Sequence, residues 1–416
     1  MVYNIKVDYF SINIIKKAVI ILKDINNIIY LDNAATTKLS PAVREAMEPY
    51  LDELYGNASS LYSLGRKSAA ALENSRARIA EAIGADPREV YFTSGGSESD
   101  NWAIKGAKHL MEKQGKRHII SSVFEHHAVL NVLESLEKSG FEITYLPVYK
   151  NGVVEISDLE KAIRPDTGLV TIMYVNNEIG TIQPVTEIGG ICRSRGILFH
   201  TDAVQAIGSV PVDVKAINAD FLTLSGHKIH AMKGVGILYV NKRIRISPFI
   251  EGGAQESGLR AGTENIAGIV GLAEGVCRAV GGMEEKHARL MPLRDKIYRE
   301  IMKMERVHLN GELERRVPCC LNFSFEGVEG EALLLQLDLA GICCSSGSAC
   351  TSGSLDPSHV LLSLGLPHEI AHGSLRISMS EYTTEAEIDR FLEVLPGVVD
   401  KLRKMSPLWE NIIKNS

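Results

Sequence analysis

Phe221-Leu222-Thr223-Leu224-Ser225-Gly226-His227-Lys228 runs from an apolar, strand-like segment into a polar cluster that ends on a lysine. In α/β folds ligands bind beyond the carboxyl ends of the strands, so this order of residue types puts Lys228 at the mouth of a sheet. Upstream, Gly196-Ile197-Leu198-Phe199-His200-Thr201-Asp202-Ala203-Val204-Gln205 is a second apolar run ending in an acid, 26 residues before the lysine. Further runs at Val90–Thr93, His118–Ser122, Glu142–Leu146, residues 169–175, residues 197–201 and Gly236–Val240 largely alternate with helical stretches. That alternation predicts a doubly wound α/β domain with a mostly parallel sheet. After about residue 280 the pattern changes to helix, short strands and a final helix. The last helix opens on the capping-box pattern Thr384-Glu385-Ala386-Glu387 and sets Ile388, Phe391, Leu392 and Leu395 on one face.

A lysine and a carboxylate at neighbouring strand ends suit pyridoxal phosphate. The amine forms a Schiff base, and the carboxylate keeps the pyridine nitrogen protonated so that the ring accepts electrons. An ordinary ion pair would use the same two residues, so the neighbours decide. Thr93-Ser94-Gly95-Gly96-Ser97-Glu98-Ser99 follows the run Val90-Tyr91-Phe92 and precedes a helical stretch at residues 100–113. A glycine turn feeding a helix start aims backbone N–H groups and hydroxyls at an anion. Ser225 and His227 beside the lysine add phosphate donors, and Glu125-His126-His127 supplies an imidazole able to stack on a flat ring.

One cysteine stands apart. Ser345-Ser346-Gly347-Ser348-Ala349-Cys350-Thr351-Ser352-Gly353-Ser354 surrounds Cys350 with small hydroxyl and glycine residues and gives it nothing to pack against. A thiol on such a tether is displayed for chemistry, whereas a free cysteine is ordinarily a small core residue.

Taken together, residues 30–37, 93–101, 175–180, 200–205, 225–228 and 345–354 closely resemble the NifS/IscS-type cysteine desulfurases, within the class V aminotransferase family. The resemblance runs in order from about Tyr30 to Trp409. It implies the aspartate aminotransferase-like fold of pyridoxal phosphate-dependent transferases: a large, mostly parallel-sheet cofactor domain over residues 40–280, and a small α+β domain from residues 30–39 and 281–410. By the same resemblance Lys228 carries the cofactor, Asp202 pairs with its ring nitrogen and His126 stacks on the ring. Gln205 and Asn177 contact the phenolic oxygen and the substrate side. Gly96, Ser97, Ser225 and His227 form the phosphate cup. Thr263 reaches the phosphate from a partner subunit, which implies a homodimer, and Arg376 clamps the substrate carboxylate. The implied reaction turns L-cysteine into L-alanine, with the sulfur carried as a persulfide on Cys350 to an iron-sulfur scaffold protein or another acceptor. Cys350 is also the candidate for a transient iron-sulfur ligand shared with such a partner.

Met232 stands where the family usually has proline, and Cys319-Cys320 replaces a more usual Pro-Asn. Cys343-Cys344 reads as packed strand, and Cys192 and Cys277 read as helical core. No Cys-x-x-Cys pair occurs, which disfavours a structural zinc or a private cluster. The 416 residues are 23% charged with a net charge of −6 and no basic run, which argues against nucleic acid as a partner. Residues 1–29 are rich in Ile, Asn and Lys; their longest apolar run, residues 18–22, is too short for a membrane span or signal core. Seven unevenly spaced cysteines, one of them needed as a thiol, point to a reducing compartment, by default the cytoplasm. Two rival readings remain open at this level: a selenocysteine lyase or another enzyme of the same family, and a non-catalytic assembly scaffold.

Overall fold

The computed structural model describes residues 28–346 and 357–414. Its strands are β1 Ile29–Tyr30, β2 Val90–Thr93, β3 His118–Ser122, β4 Glu142–Leu146, β5 Thr167–Thr171, β6 Leu198–Asp202, β7 Phe221–Ser225, β8 Gly236–Val240, β9 Val307–Leu309, β10 Cys320–Phe325, β11 Ile342–Cys343 and β12 Ser374–Ser378. The helices that matter below are α1 Ser63–Ala82, α2 Gly96–Lys113, α3 His127–Glu137, α4 Val185–Arg195, α5 Ile266–Gly281, α6 Met283–Ile301, α7 Gly330–Leu339 and α8 Glu385–Met405.

Seven strands form one sheet in the order β2-β8-β7-β6-β5-β3-β4. The block from β4 to β7 is parallel, while β8 runs antiparallel to both β7 and β2. Parallel strands are covered on both faces, which explains why β5 and β7 are buried throughout. Alternation along β7 assigns the faces: Phe221 packs with Trp102, Val129 and Leu133 under α2 and α3. Leu222 and Leu224 point the other way, toward Ile79 of α1 and Leu272 of α5. β6 and β7 pair with His200 opposite Phe221 and Asp202 opposite Thr223. The carboxyl ends of the two strands therefore open on the same edge of the sheet.

A separate core gathers Leu31, Leu290, Ile297, Phe323, Leu375, Phe391 and Val399. It lies on the antiparallel sheet β12-β10-β9, with β1 and β11 paired alongside. α8 closes this core; its Thr384–Glu387 capping box is formed, and Ile388, Phe391 and Leu395 are buried. Each such side chain contributes about 1.5–3 kcal/mol by leaving water.

Two strand boundaries and one helix start differ from the sequence reading, and α8 is not the last helix, since Pro407–Lys414 forms another after it. The run at residues 169–175 yields a strand only at Thr167–Thr171. Ile172, Met173 and Val175 are buried all the same, because apolarity there marks core and not ladder. β6 starts at Leu198, since Gly196 takes a left-handed conformation at the end of α4 and Ile197 still bonds back to Cys192 O. The first long helix after β2 starts at Gly96, earlier than residue 100. Among the described residues no single helix is long and apolar enough to cross a membrane.

Candidate active site

Ser225 ends β7, and Gly226–Lys228 make one tight 3-10 turn. The Lys228 ammonium donates to two backbone carbonyls, Ala34 O at 2.6 Å and Ala35 O at 2.7 Å. Gln205 Nε2 donates to the same Ala34 oxygen at 2.9 Å. The Asp32–Thr37 stretch is anchored over this turn: Thr37 donates through both N and Oγ1 to His227 O at 2.9 Å, and His227 Nδ1 lies 3.2 Å from Thr36 Oγ1. Past the lysine, His230 adopts a φ of 57°, a strained value for a residue with a side chain. It is held there by Thr37 Oγ1, Lys38 O and Glu381. These bonds fix the turn without the proline that Met232 replaces.

Asp202 ends β6, adjacent to the strand that carries the lysine, and its Oδ1 accepts from Val204 N at 2.9 Å. Burial, with the Asp100 carboxyl adding to it, pushes its pKa up to about 7. A buried carboxyl of this kind suits a cationic ring N–H as its partner. His126 caps α3, with Nδ1 accepting from Ala128 N at 3.1 Å. Burial first and the Lys228 charge second lower it to about 4, so the ring is neutral at neutral pH. His227 is lowered to about 4 by the same two causes.

The cup is built on α2. Its start at Gly96 follows Gly95, whose φ of 151° favours glycine. A Cβ on Gly236 of β8 would stand 2.8 Å from Gly95 Cα, so the two backbones meet with no room for a side chain. Ser225 faces this turn from β7, its Oγ 3.8 Å from where a Gly95 Cβ would sit. The first N–H groups of an 18-residue helix, with Ser97 and Ser225 beside them, form an anion cradle. An amine, a buried carboxyl and an anion cradle at one sheet edge are the donor set that pyridoxal phosphate requires, so these residues fit the group.

Thr263 is exposed and borders a cavity of about 220 Å³ that Thr93, Ser94 and Arg260 also line. Arg260 holds Glu98 through Nε at 2.9 Å and Nη2 at 3.2 Å, tying the Thr263 segment to the start of α2.

Arg376 lies on β12 and is 2% exposed. Its Nη2 donates to Asp32 Oδ1 at 2.8 Å and its Nη1 to Asn177 O at 3.0 Å, while Nε has no partner among the described residues. Backbone bonds join it to Ser345 at 2.6 and 3.3 Å. Asn177 and Lys228 line one cavity of about 40 Å³ together with Gln205, Cys319 and Cys320. Cys350 lies outside the described residues. The preceding thiols are poor nucleophiles, since burial raises the pKa of both Cys343 and Cys344. Cys192 is buried as expected, and burial lifts it to about 12. Cys277 departs from its core reading: it is half-buried and directs its thiol at Arg78 O, 3.9 Å away.

The family model described as Aminotransferase class-V matches residues 29–391. The chain belongs to that family. Its relatives include a Cysteine desulfurase IscS of Clostridium botulinum strain Hall, 51% identical over 393 residues that cover 94% of this chain and 99% of the relative. A Cysteine desulfurase IscS of Methanosarcina thermophila is 52% identical over 92% of this chain and 95% of its own length. Among solved structures, a NifS-like protein superposes with a TM-score of 0.84 at 38% identity, covering 90% of this chain and 99% of that one. A structure of SspA in complex with cysteine gives a TM-score of 0.74 at 37% identity, covering 85% and 99%. Class-V membership brings pyridoxal phosphate as the cofactor.

Sequence reasoning assigned no role to Asp32, to the Ala34 and Ala35 carbonyls, or to Asp100 and His200. The first three lie in the Tyr30–Thr37 motif, whose polar residues after an apolar pair were a usable signal. Asp100 offered only an acid inside an amphipathic helix.

Proposed function

We propose that this protein is a cysteine desulfurase that uses Lys228, Asp202 and the α2 cradle to hold pyridoxal phosphate and Cys350 to accept sulfur. The observation that carries the reading is the placement of a buried Asp202 at the end of β6 and of Lys228 in the turn that follows the adjacent parallel strand β7, beside a glycine-built helix start. The names of the relatives and the cysteine-bound neighbour support the substrate.

When bound, the cofactor withdraws electrons from the substrate's Cα and so labilises the bonds around it. The protein's own groups do the rest. Asp202 would hold the proton on the ring nitrogen, and the neutral imidazole of His126 would pack beside the ring. The amine of Lys228 would move the proton at the substrate Cα. Asn177 borders the substrate side, and the Arg376 fork holds the substrate carboxylate, which takes over Nε or the place of Asp32. Cys350, as thiolate, attacks the substrate sulfur: its S–S bond forms as the substrate C–S bond breaks, and a proton replaces sulfur at the β-carbon. Cysteine plus the Cys350 thiol thus gives alanine plus the Cys350 persulfide, with no external oxidant. An unperturbed thiol has a pKa of about 8.5, so the attack requires a neighbouring base or the approaching substrate to remove its proton.

In this reading Thr263 contacts the phosphate of a second copy in a homodimer, residues 40–280 act as the cofactor domain, and residues 30–39 and 281–410 carry the thiol. The acceptor is an iron-sulfur scaffold protein or another thiol, and the enzyme works in a reducing compartment such as the cytoplasm. Equimolar alanine and persulfide formed from L-cysteine by the loaded protein, with selenocysteine and pyruvate controls, test the reading. Pyruvate in place of alanine, or turnover of selenocysteine alone, would replace it.

A further inference from the structure

Beneath Asp202 lies a polar cluster for which the proposed chemistry has no use. Asp100 sits on α2 one turn below the Gly96–Ser97 cradle, 1% exposed, and its Oδ1 has no hydrogen-bond partner among the described residues. That oxygen is 3.5 Å from Nε2 of His200, which is itself fully buried. His200 precedes Asp202 by two positions on β6, so both side chains leave the same face of the sheet, the one α2 covers. Two threonines complete the cluster: Thr171 Oγ1 on β5 is 2.8 Å from His200 Nδ1, and Thr223 Oγ1 on β7 is 3.2 Å from His200 Nε2. Thr223 also bonds Asp100 and lies opposite Asp202 in the β6–β7 ladder. An unpartnered carboxylate oxygen in the interior costs several kcal/mol unless it serves a nearby positive charge or proton. Within this cluster the place where such a charge arrives is the ring nitrogen at Asp202.

We propose that Asp100, acting through His200 and Thr223, is a positioning residue that strengthens the hold of Asp202 on the proton of the cofactor's ring nitrogen. The inference rests on the cofactor reading above. A second negative charge behind Asp202 raises the proton affinity of the Asp202–nitrogen pair, because losing that proton would leave two carboxylates with no cation between them. His200 does not cancel that charge. Burial lowers its pKa to about 4, so at neutral pH it is an uncharged link. Burial brings Asp100 itself to about 7, within the working range of pH. The other titratable groups facing Asp202 are Glu125, from the connection between β3 and α3, and Lys228 at the rim. Glu125 is satisfied otherwise, accepting from Ser122 Oγ and from Met173 N at 3.0 Å. Of the two buried acids behind Asp202, Asp100 is the one with an oxygen to spare. Because α2 carries both this carboxyl and the phosphate cradle, one helix holds the two ends of the cofactor.

The test loads wild type, Asp100→Asn and Asp100→Glu with ring-¹⁵N pyridoxal phosphate and follows the nitrogen resonance against pH. The same proteins without cofactor, labelled with ¹³C-aspartate, give the Asp202 carboxyl titration, assigned by its loss in Asp202→Asn. Asp100→Asn is expected to lose the ring proton about one pH unit or more lower than wild type, a tenfold fall in proton affinity, and to lower the Asp202 titration in the empty protein. Asp100→Glu is expected to restore much of both. If Asp100→Asn does not fold, Asp100→Ser, which also removes the charge, must show the same downward shift. Unchanged titrations in whichever variant folds overturn the inference. A wild-type protein that binds no pyridoxal phosphate would instead overturn the functional reading, and the empty-protein titration would still judge the Asp100–Asp202 coupling.

Discussion

Around Lys228, main-chain carbonyls of Ala34 and Ala35 accept from the ammonium, the His227 carbonyl accepts from Thr37, and the first amides of α2 lie at the same sheet edge. Around Arg376 a side chain takes part: the guanidinium meets the Asp32 carboxylate and the Asn177 carbonyl, while Ser345 bonds the Arg376 main chain. Backbone groups stay in place when a ligand arrives, whereas the Asp32 carboxylate is exchangeable for a ligand's carboxylate. In the proposed reading the first region keeps a group and the second binds and releases one. If so, damage at the Lys228 side removes the reaction, and damage at the Arg376 side only weakens it.

The largest effect is expected from Lys228→Ala, which removes the amine while leaving the β7 turn in place. Alanine release from cysteine should fall by about 10²- to 10⁴-fold or below detection, with loss of the near-visible absorbance of the loaded protein and unchanged circular dichroism. Turnover near wild type would remove the contrast altogether. Cys350→Ser should keep cofactor absorbance and still respond spectrally to cysteine, yet form no protein persulfide. Mass mapping of the sulfur to Cys343 or Cys344 would show that a raised thiol pKa there does not protect it.

Arg376→Lys keeps the charge but loses the fork, and a smaller loss follows. The charged hydrogen bonds at stake are each worth about 1.5–3 kcal/mol, equivalent to roughly a 10- to 150-fold drop in kcat/KM for cysteine. The fall should come mainly through KM. A loss confined to kcat would place Arg376 in the chemical step and make the two regions alike.

The same contrast explains what the sequence made legible. Lys228, Asp202 and the Gly95–Gly96 turn each sit at a junction where an apolar run stops, and a local pattern marks such junctions directly. β2, β3, β4, β7 and β8 match their apolar runs residue for residue. The run at 169–175 overshot because burial continues past the last ladder position, and hydrophobicity reports burial alone. The Arg376 side left no comparable trace, since Asp32 and Arg376 are 344 positions apart and only the fold brings them within 2.8 Å. Asp100 was hidden for another reason: an acid on a mostly amphipathic helix normally faces water, and here the helix turns it inward against β6.

The smallest effect concerns the empty protein and pH, and tests whether the cofactor side is strained until it is filled. Burial raises Asp100, Asp202 and Glu178 to about 7 and Glu125 to about 8, against roughly 4 for carboxyls in an unfolded chain. A group whose folded pKa is raised contributes stability that is full below its unfolded value and is lost as pH climbs through the folded one. His126, His200 and His227, lowered to about 4, act in the opposite sense: the unfolded chain takes up their protons first as pH falls from about 6.5 to 4. Between pH 4 and 6.5 the two sets oppose each other, and above 6.5 only the carboxyls still titrate. Protein stripped of pyridoxal phosphate should therefore lose on the order of a few °C in Tm between pH 6.5 and 8.5. The loaded protein should show a shallower decline, since a ring N–H opposite Asp202 stabilises its ionised form. Scanning calorimetry of both forms across that range decides the matter, and parallel slopes would mean that Asp202 is not the carboxyl the cofactor relieves.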